Sequence, residues 1–258
     1  MTTSEIRVEA IPAFTDNYFW LVHAGGESCA VVDPGDAAPV ERALEAGRLR
    51  LAHILLTHHH PDHVGGVNAL LARHEATVHG PGDPRMPPAT RPVGEPDSVT
   101  LDALGLTFSV LDVPGHTSSH IAYHGHGMLF CGDTLFSVGC GRLFEGTPAE
   151  MQASLDKLAA LPPETRVYCA HEYTQSNCAF ARRVEPDNAA LAARCREVEA
   201  LRREGRRTVP TTLAEERRVN PFLRTREEAV VAAARALEPG AEPGAAVLGV
   251  IRAWKDRG

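Results

Sequence analysis

Ile54-Leu55-Leu56-Thr57-His58-His59-His60-Pro61-Asp62-His63-Val64-Gly65-Gly66 is the stretch from which the rest of the chain is read. Ile54 to Thr57 has the character of a buried strand. Along an extended chain residues two apart point the same way, so His58 and His60 face together while His59 faces away. Pro61 fixes the next backbone angle at the start of a helix running through Val67, Leu70 and Leu71, which brings Asp62 and His63 to within one turn of the first pair. Nitrogen and oxygen donors at this spacing suit zinc, iron(II) or manganese(II). An affinity tag would be terminal, whereas this run is threaded between a strand and a Gly-Gly helix start.

At 258 residues the chain can hold one large domain, or a medium one with a smaller attachment. The stretch MTTSEIRVEA has no cationic patch followed by an apolar run, and no segment is apolar enough to span a bilayer, so a cytoplasmic protein without membrane contact is expected. Its six cysteines contain no C-x-x-C pair and sit mostly in apolar runs, as reduced, buried thiols do. The net charge of −7 is uneven: residues 1–170 carry 10 basic and 20 acidic side chains, residues 171–258 carry 16 and 13. An acidic body around a dication site, with a basic attachment, suggests an anionic substrate that touches the attachment. No basic tract is interleaved with aromatics, so nucleic acid is not expected as a partner.

Short strands open the chain at residues 6–11, 18–23 and 29–32, the last ending in the turn Asp33-Pro34-Gly35-Asp36. A helix is expected over 39–46, a strand at 77–79, and a proline- and glycine-rich loop over 80–97. A second sheet-like half follows at 106–113, 121–124 and 128–131. Its loops present Pro114-Gly115-His116-Thr117 and Cys131-Gly132-Asp133-Thr134 just past strand ends. Thr147-Pro148-Ala149-Glu150 reads as a capping box with proline at the first helical position. One more strand, 167–170, delivers His171. From about Thr174 no strand pattern remains: residues 188–204, a helix behind a second capping box at Thr225 and Glu228, and a last helix from Pro243 form a small helical domain. The division expected is residues 1–173 and 174–258.

The motifs T-H-H-H-P-D-H, P-G-H-T, C-G-D-T-L-F and A-H-E-Y-T, in this order, resemble the metallo-β-lactamase superfamily. Residues 12–18 (PAFTDNY), 139–147 (GCGRLFEGT) and 220–224 (NPFLR) narrow the resemblance to the glyoxalase II, or hydroxyacylglutathione hydrolase, family, nearly end to end. The resemblance implies an α+β fold: an αββα metallo-β-lactamase-type sandwich followed by a small C-terminal helical domain that binds glutathione. It implies two divalent metal ions, zinc by preference with iron or manganese as alternatives. His58, His60 and His116 would hold one, Asp62, His63 and His171 the other, and Asp133 both. A metal-bridging hydroxide would then be the nucleophile, its proton oriented by Asp62 or Asp133, the two residues with a catalytic role.

The activity implied is hydrolysis of S-(2-hydroxyacyl)glutathione, S-D-lactoylglutathione above all, to glutathione and D-lactate, the second step of methylglyoxal detoxification. A thiolate leaving group, with a parent pKa of about 8.5, needs no dedicated general acid, and none is evident in these motifs. Arg252 and Lys255 match the family's R-x-x-K grip on the glycine carboxylate, and Arg142 and Tyr173 are the other substrate contacts carried over. Where other members have Lys-x-Tyr, this chain has Arg142 and Phe144: the cation persists and a hydroxyl is absent. His59 and His120 are candidates to support neighbouring ligands. Trp20 and Trp254 are read as packing residues. A monomer acting on a small-molecule thioester is expected. The rival readings are a single-iron glutathione persulfide dioxygenase and a non-enzymatic metal-binding protein.

Overall fold

The elements follow from where apolar runs alternate with turn-forming residues. In the computed structural model, which describes residues 5–258, two compact units organise the chain. The stretch MTTSEIRVEA, read above for an export signal, begins with residues 1–4, which lie outside the described residues. One unit takes the described residues up to Asp112 together with Ser119–Gly132; the other takes Val113–Ser118 and Asp133–Gly258. Among the described residues no helix is long and apolar enough to cross a membrane.

In the first unit, β1 (Arg7–Ala13), β2 (Asn17–His23) and β3 (Ser28–Val32) form an antiparallel meander. Asp36 then caps α1 (Ala37–Gly47), accepting from the Ala38 amide at 3.0 Å, and α1 crosses to β4 (Arg50–Leu55), parallel to β3. Two short helices follow, α2 (Pro61–Val64) and α3 (Val67–Leu71), then β5 (Thr77–Gly80) and β6 (Thr90–Pro92), which extend the sheet in parallel. Phe19, Leu21, Val31, Ile54 and Leu56 share a buried cluster with Val40 and Leu44 of α1 and Val67 and Leu70 of α3, so the helices cover one face of this sheet. A second run of strands, β7 (Ser98–Leu101), β8 (Leu106–Asp112), β9 (Ile121–Gly125) and β10 (Met128–Gly132), is antiparallel throughout. Tyr123 of β9 donates to the carbonyls of Leu56 (2.9 Å) and His79 (3.2 Å), tying this sheet to the ends of β4 and β5.

The second unit contains the hairpin β11 (Leu135–Phe136) and β12 (Gly139–Cys140), then α4 (Pro148–Ala159), β13 (Arg166–Cys169), α5 (Thr174–Val184) and α6 (Ala189–Arg203). β14 (Thr211–Thr212), α7 (Leu213–Val219), α8 (Glu228–Leu237) and α9 (Ala245–Arg257) complete it. The capping box of α4 forms as read, with Thr147 and Glu150 each satisfying the other's backbone amide. Cys178, Ala181, Leu191, Cys195, Val198 and Val219 pack into one cluster from α5, α6 and α7. All six cysteines are buried free thiols. Trp20 is buried, and Trp254 packs edge-on against Phe180 with Arg183 over its face.

Three local expectations are corrected. The strand before the histidines ends at Leu55; beyond it the Asp33 carboxylate accepts the Thr57 amide and hydroxyl, and the Ile121 amide donates to the Thr57 carbonyl at 3.0 Å. Thr225 does not cap α8: its hydroxyl donates to Gln152 Oε1 at 2.7 Å, and Glu227 stands at the cap position without a side-chain bond. A strand does follow residue 174, since Thr211 and Thr212 pair with Val167 and Arg166 of β13.

Candidate metal centre and binding cavity

In the first unit the histidine stretch is positioned by a residue the sequence reading passed over. Asp33 is 3% exposed, and its φ of 52° lies in the left-handed region that a non-glycine residue enters at a cost. That conformation turns the carboxylate onto Thr57: Oδ1 accepts the Thr57 amide and Oδ2 the Thr57 hydroxyl, both at 2.8 Å. Asp33 Oδ2 also lies 3.2 Å from His63 Nδ1. The Thr57 hydroxyl, having given its proton to Asp33, has lone pairs left to accept from His58 Nδ1 at 3.0 Å. Through Thr57 the buried carboxylate therefore sets the tautomer of His58, with the proton on Nδ1 and the lone pair on Nε2. The turn Pro34-Gly35 packs so tightly that a Cβ at Gly35 would collide with the Asp62 carbonyl.

The four ligands predicted here gather. His58 Nε2 is 3.1 Å from His60 Nδ1, His63 Nε2 is 3.3 Å from Asp62 Oδ2, and ligand atoms of His58 and His63 lie within 4.8 Å. Asp62 is oriented by Asn17, which donates to Oδ2 at 3.0 Å across 45 residues. His120 stacks on His58 with ring centroids 4.5 Å apart, the supporting place expected for it. His59 turns toward Asp83, 3.8 Å away. The Arg85 guanidinium, with the Ser119 hydroxyl, holds the Asp83 carboxyl well below the usual carboxylate range. Gly132 closes this half: its φ is 47°, and a Cβ there would collide with the Thr57 hydroxyl.

In the second unit Asp133 stands between two imidazoles. Its Oδ2 lies 3.5 Å from His116 Nε2 and its Oδ1 lies 3.4 Å from His171 Nε2. His116 Nδ1 meets the Arg142 carbonyl at 2.9 Å; a carbonyl can only accept, so a proton is on Nδ1, and in the neutral ring Nε2 directs a lone pair at the Asp133 carboxylate. Lone pair facing lone pair in a buried place is repulsive, and a cation between them reverses the sign. This donor chemistry fits a divalent metal site. Gly141 is required here because a Cβ would run into the Asp133 carbonyl. His171 lies flat against Tyr173, centroids 4.6 Å apart at 5°, which fixes its ring plane.

Beside Asp133 opens a cavity of about 460 Å³, and Arg142, Tyr173, Arg252 and Lys255 all line it together with His116 and Asp133. Arg252 is only 4% exposed: Nη1 donates to the Cys140 carbonyl at 2.8 Å, and the guanidinium lies over the Phe222 ring at 5.4 Å. Lys255 hydrogen-bonds Asn177 Oδ1, and burial, with Arg252 nearby, pushes its pKa down to about 8. Phe144 is exposed and sits edge-on to His116 at 5.2 Å. The hairpin between Asp133 and Arg142 is held from behind. Asn220 donates to the carbonyls of Phe136 (3.1 Å) and Gly139 (2.9 Å), Asn177 to that of Ser137 (2.9 Å), and buried Glu216 accepts the Val138 amide (2.8 Å). Burial pushes the Glu216 carboxyl up.

The family model described as the metallo-beta-lactamase superfamily matches residues 13–171, and that described as the hydroxyacylglutathione hydrolase C-terminus matches residues 172–258. The chain is 57% identical over 263 residues to the hydroxyacylglutathione hydrolase of Cupriavidus taiwanensis, covering 97% of this chain and 98% of that one. This chain belongs to the hydroxyacylglutathione hydrolase family. The member from Alkalilimnicola ehrlichii is 55% identical over 253 residues, covering 97% of this chain and 99% of that one. Among solved structures, ETHE1 from Myxococcus xanthus aligns with a TM-score of 0.66 at 26% identity, covering 98% of this chain and 99% of that one. TTHA1623 in a di-iron-bound form aligns with a TM-score of 0.58 at 30% identity, covering 80% of this chain and 95% of that one. The fold is thus the α+β metallo-β-lactamase type with a helical C-terminal region, as the motifs implied.

Proposed function

We propose that the chain hydrolyses S-(2-hydroxyacyl)glutathione, with S-D-lactoylglutathione as its main substrate, to glutathione and a 2-hydroxy acid. The observation that carries this reading is the cavity in which a cationic wall of Arg142, Arg252 and Lys255 adjoins the carboxylate–imidazole cluster of Asp133. Family membership at 57% identity supports it. His58, His60 and His116 would hold one divalent ion, Asp62, His63 and His171 a second, and Asp133 would serve both through its two oxygens. The donors suit zinc, with iron or manganese as alternatives. When bound, such ions supply Lewis acidity that lowers the pKa of water and polarises the thioester carbonyl.

The protein's own residues do the rest. Asp62, held by Asn17, takes up and orients the proton of the attacking water at its carboxylate. His171 and Tyr173 form a flat wall beside the reacting carbonyl. Arg252 and Lys255 bind the glycine carboxylate of the glutathione arm and Arg142 closes over it, while the leaving thiolate departs without an acid. The helical part from residue 174 is, in this reading, the glutathione-binding domain and residues 1–173 the metal domain; the family-model boundary at 171/172 supports that cut. We place the protein in the cytoplasm as a monomer, the second enzyme of methylglyoxal disposal; its six free buried thiols suit a reducing compartment.

Purified protein is expected to release glutathione from S-D-lactoylglutathione with multiple turnovers. Oxygen uptake with glutathione persulfide and no thioester cleavage would establish the dioxygenase instead, and no turnover on either would leave a binding protein. A pH dependence follows from Lys255. It binds a carboxylate only while protonated, so KM is flat below about pH 8 and rises above it as the ammonium is lost. Lys255→Met should raise KM about tenfold at pH 7, the worth of one charge-assisted hydrogen bond, and abolish that rise. A KM profile through pH 9 identical in both proteins contradicts the assignment.

A further inference from the structure

Asp256 is an acidic residue where helix electrostatics disfavour one. It lies in the last turn of α9, at the negative end of the helix dipole. Its Oδ1 accepts a hydrogen bond from Arg252 Nη2 at 3.0 Å and stands 3.3 Å from Arg142 Nε. One carboxylate oxygen therefore bridges two of the three cations that line the cavity.

The three groups differ in their freedom to move. Arg252 is pinned by the Cys140 carbonyl and the Phe222 face, and keeps its place without Asp256. The Arg142 side chain is 62% exposed, and Asp256 is its ion-pair partner. The Asp256 side chain is 36% exposed and can turn out into water.

We propose that Asp256 is an internal stand-in for the substrate's carboxylate: it neutralises Arg142 and Arg252 before substrate arrives and yields them when the anionic arm docks. This rests on the reading of the cavity as the glutathione site, and makes Asp256 the residue that sets the affinity of that site for its anionic arm. Exchanging one carboxylate for another lets an anionic arm replace the internal pair at little electrostatic cost. A neutral arm leaves the pair in place and draws nothing from the two cations. The residue thus holds affinity for the anionic arm, and so product retention, down.

Asp256→Asn keeps the shape and removes the competing charge. The test is run at pH 6.5, where Lys255 is protonated, with thermal melts as the control for folding. Calorimetry measures the affinity for glutathione, and steady-state kinetics compare S-D-lactoylglutathione with its C-terminal glycinamide analogue. The variant is expected to bind glutathione about three- to tenfold more tightly and to lower KM for the carboxylate substrate by a similar factor, with no gain on the glycinamide. Unchanged or weaker glutathione binding by a folded variant overturns the proposal, because Asp256 would then merely brace the cations. The hydrolase reading fails separately: wild-type protein that binds glutathione, more tightly in the variant, yet cleaves no thioester refutes that reading and leaves the role of Asp256 standing.

Discussion

Asp133→Ala is expected to lose bound metal and thioester hydrolysis together. The residue is 7% exposed and places one oxygen toward His116 and the other toward His171. Removing it takes away the negative charge that both sides of the centre would share. Two buried imidazoles are left facing each other across a gap. Loss of a single electrostatic stabiliser typically costs about 10²–10³ in rate, and the loss of a donor common to two ions should exceed that. Asp133→Asn is the sharper variant, since it preserves volume and keeps one carbonyl oxygen; it should retain the fold while binding metal weakly. Metal content by elemental analysis, set beside turnover on the same sample, checks both. Full metal occupancy with normal turnover in either variant contradicts the shared-donor assignment.

Asp33→Ala should have the second-largest effect, although Asp33 is assigned to no ion. Its carboxylate holds the Thr57 amide and hydroxyl, lies 3.2 Å from His63 Nδ1, and through Thr57 sets the tautomer of His58. Partners that orient metal ligands are typically worth about 10–100-fold in metal affinity or activity. Leaving the buried Thr57 amide unsatisfied costs a further ~1–3 kcal/mol of stability. Asp33→Asn discriminates between the two effects. Its remaining oxygen can still accept the Thr57 amide and preserve the fold, but its NH2 turns a donor toward His63 Nδ1 and the Thr57 hydroxyl. The expected result is near-normal thermal stability with metal affinity reduced at least tenfold. Wild-type affinity in Asp33→Asn would show that tautomer control does not matter here.

The parts of this molecule legible in its sequence are those whose causes are local. The His58-to-His63 stretch carries its own geometry in a proline and a short spacing, and Thr147 with Glu150 closes a capping box within four residues. What escaped reading depends on partners far along the chain. Asp33 gave no signal beyond a turn, because its partner Thr57 lies 24 positions away. Asn17 orients Asp62 over a still longer separation. Thr211 and Thr212 form a strand only because β13 offers them an edge; two threonines have no period of their own. Thr225 matches a cap motif and is diverted to Gln152, since tertiary contact outweighs a local preference. Arg252 could be counted onto a helix face, but only the fold shows it buried over Phe222 with its guanidinium committed to Cys140 and Asp256.

In the proposed reaction the seven donors would hold two divalent ions, and hydrolysis would need both. The most direct measurement is elemental analysis of the purified protein, followed by stepwise chelation and metal return with thioester cleavage recorded at each step. The expected result is two equivalents of divalent metal per chain, activity falling to background as they are removed, and recovery as zinc, iron or manganese is restored. Cleavage that persists at full rate in metal-free protein, or that is complete with a single equivalent bound, would contradict it.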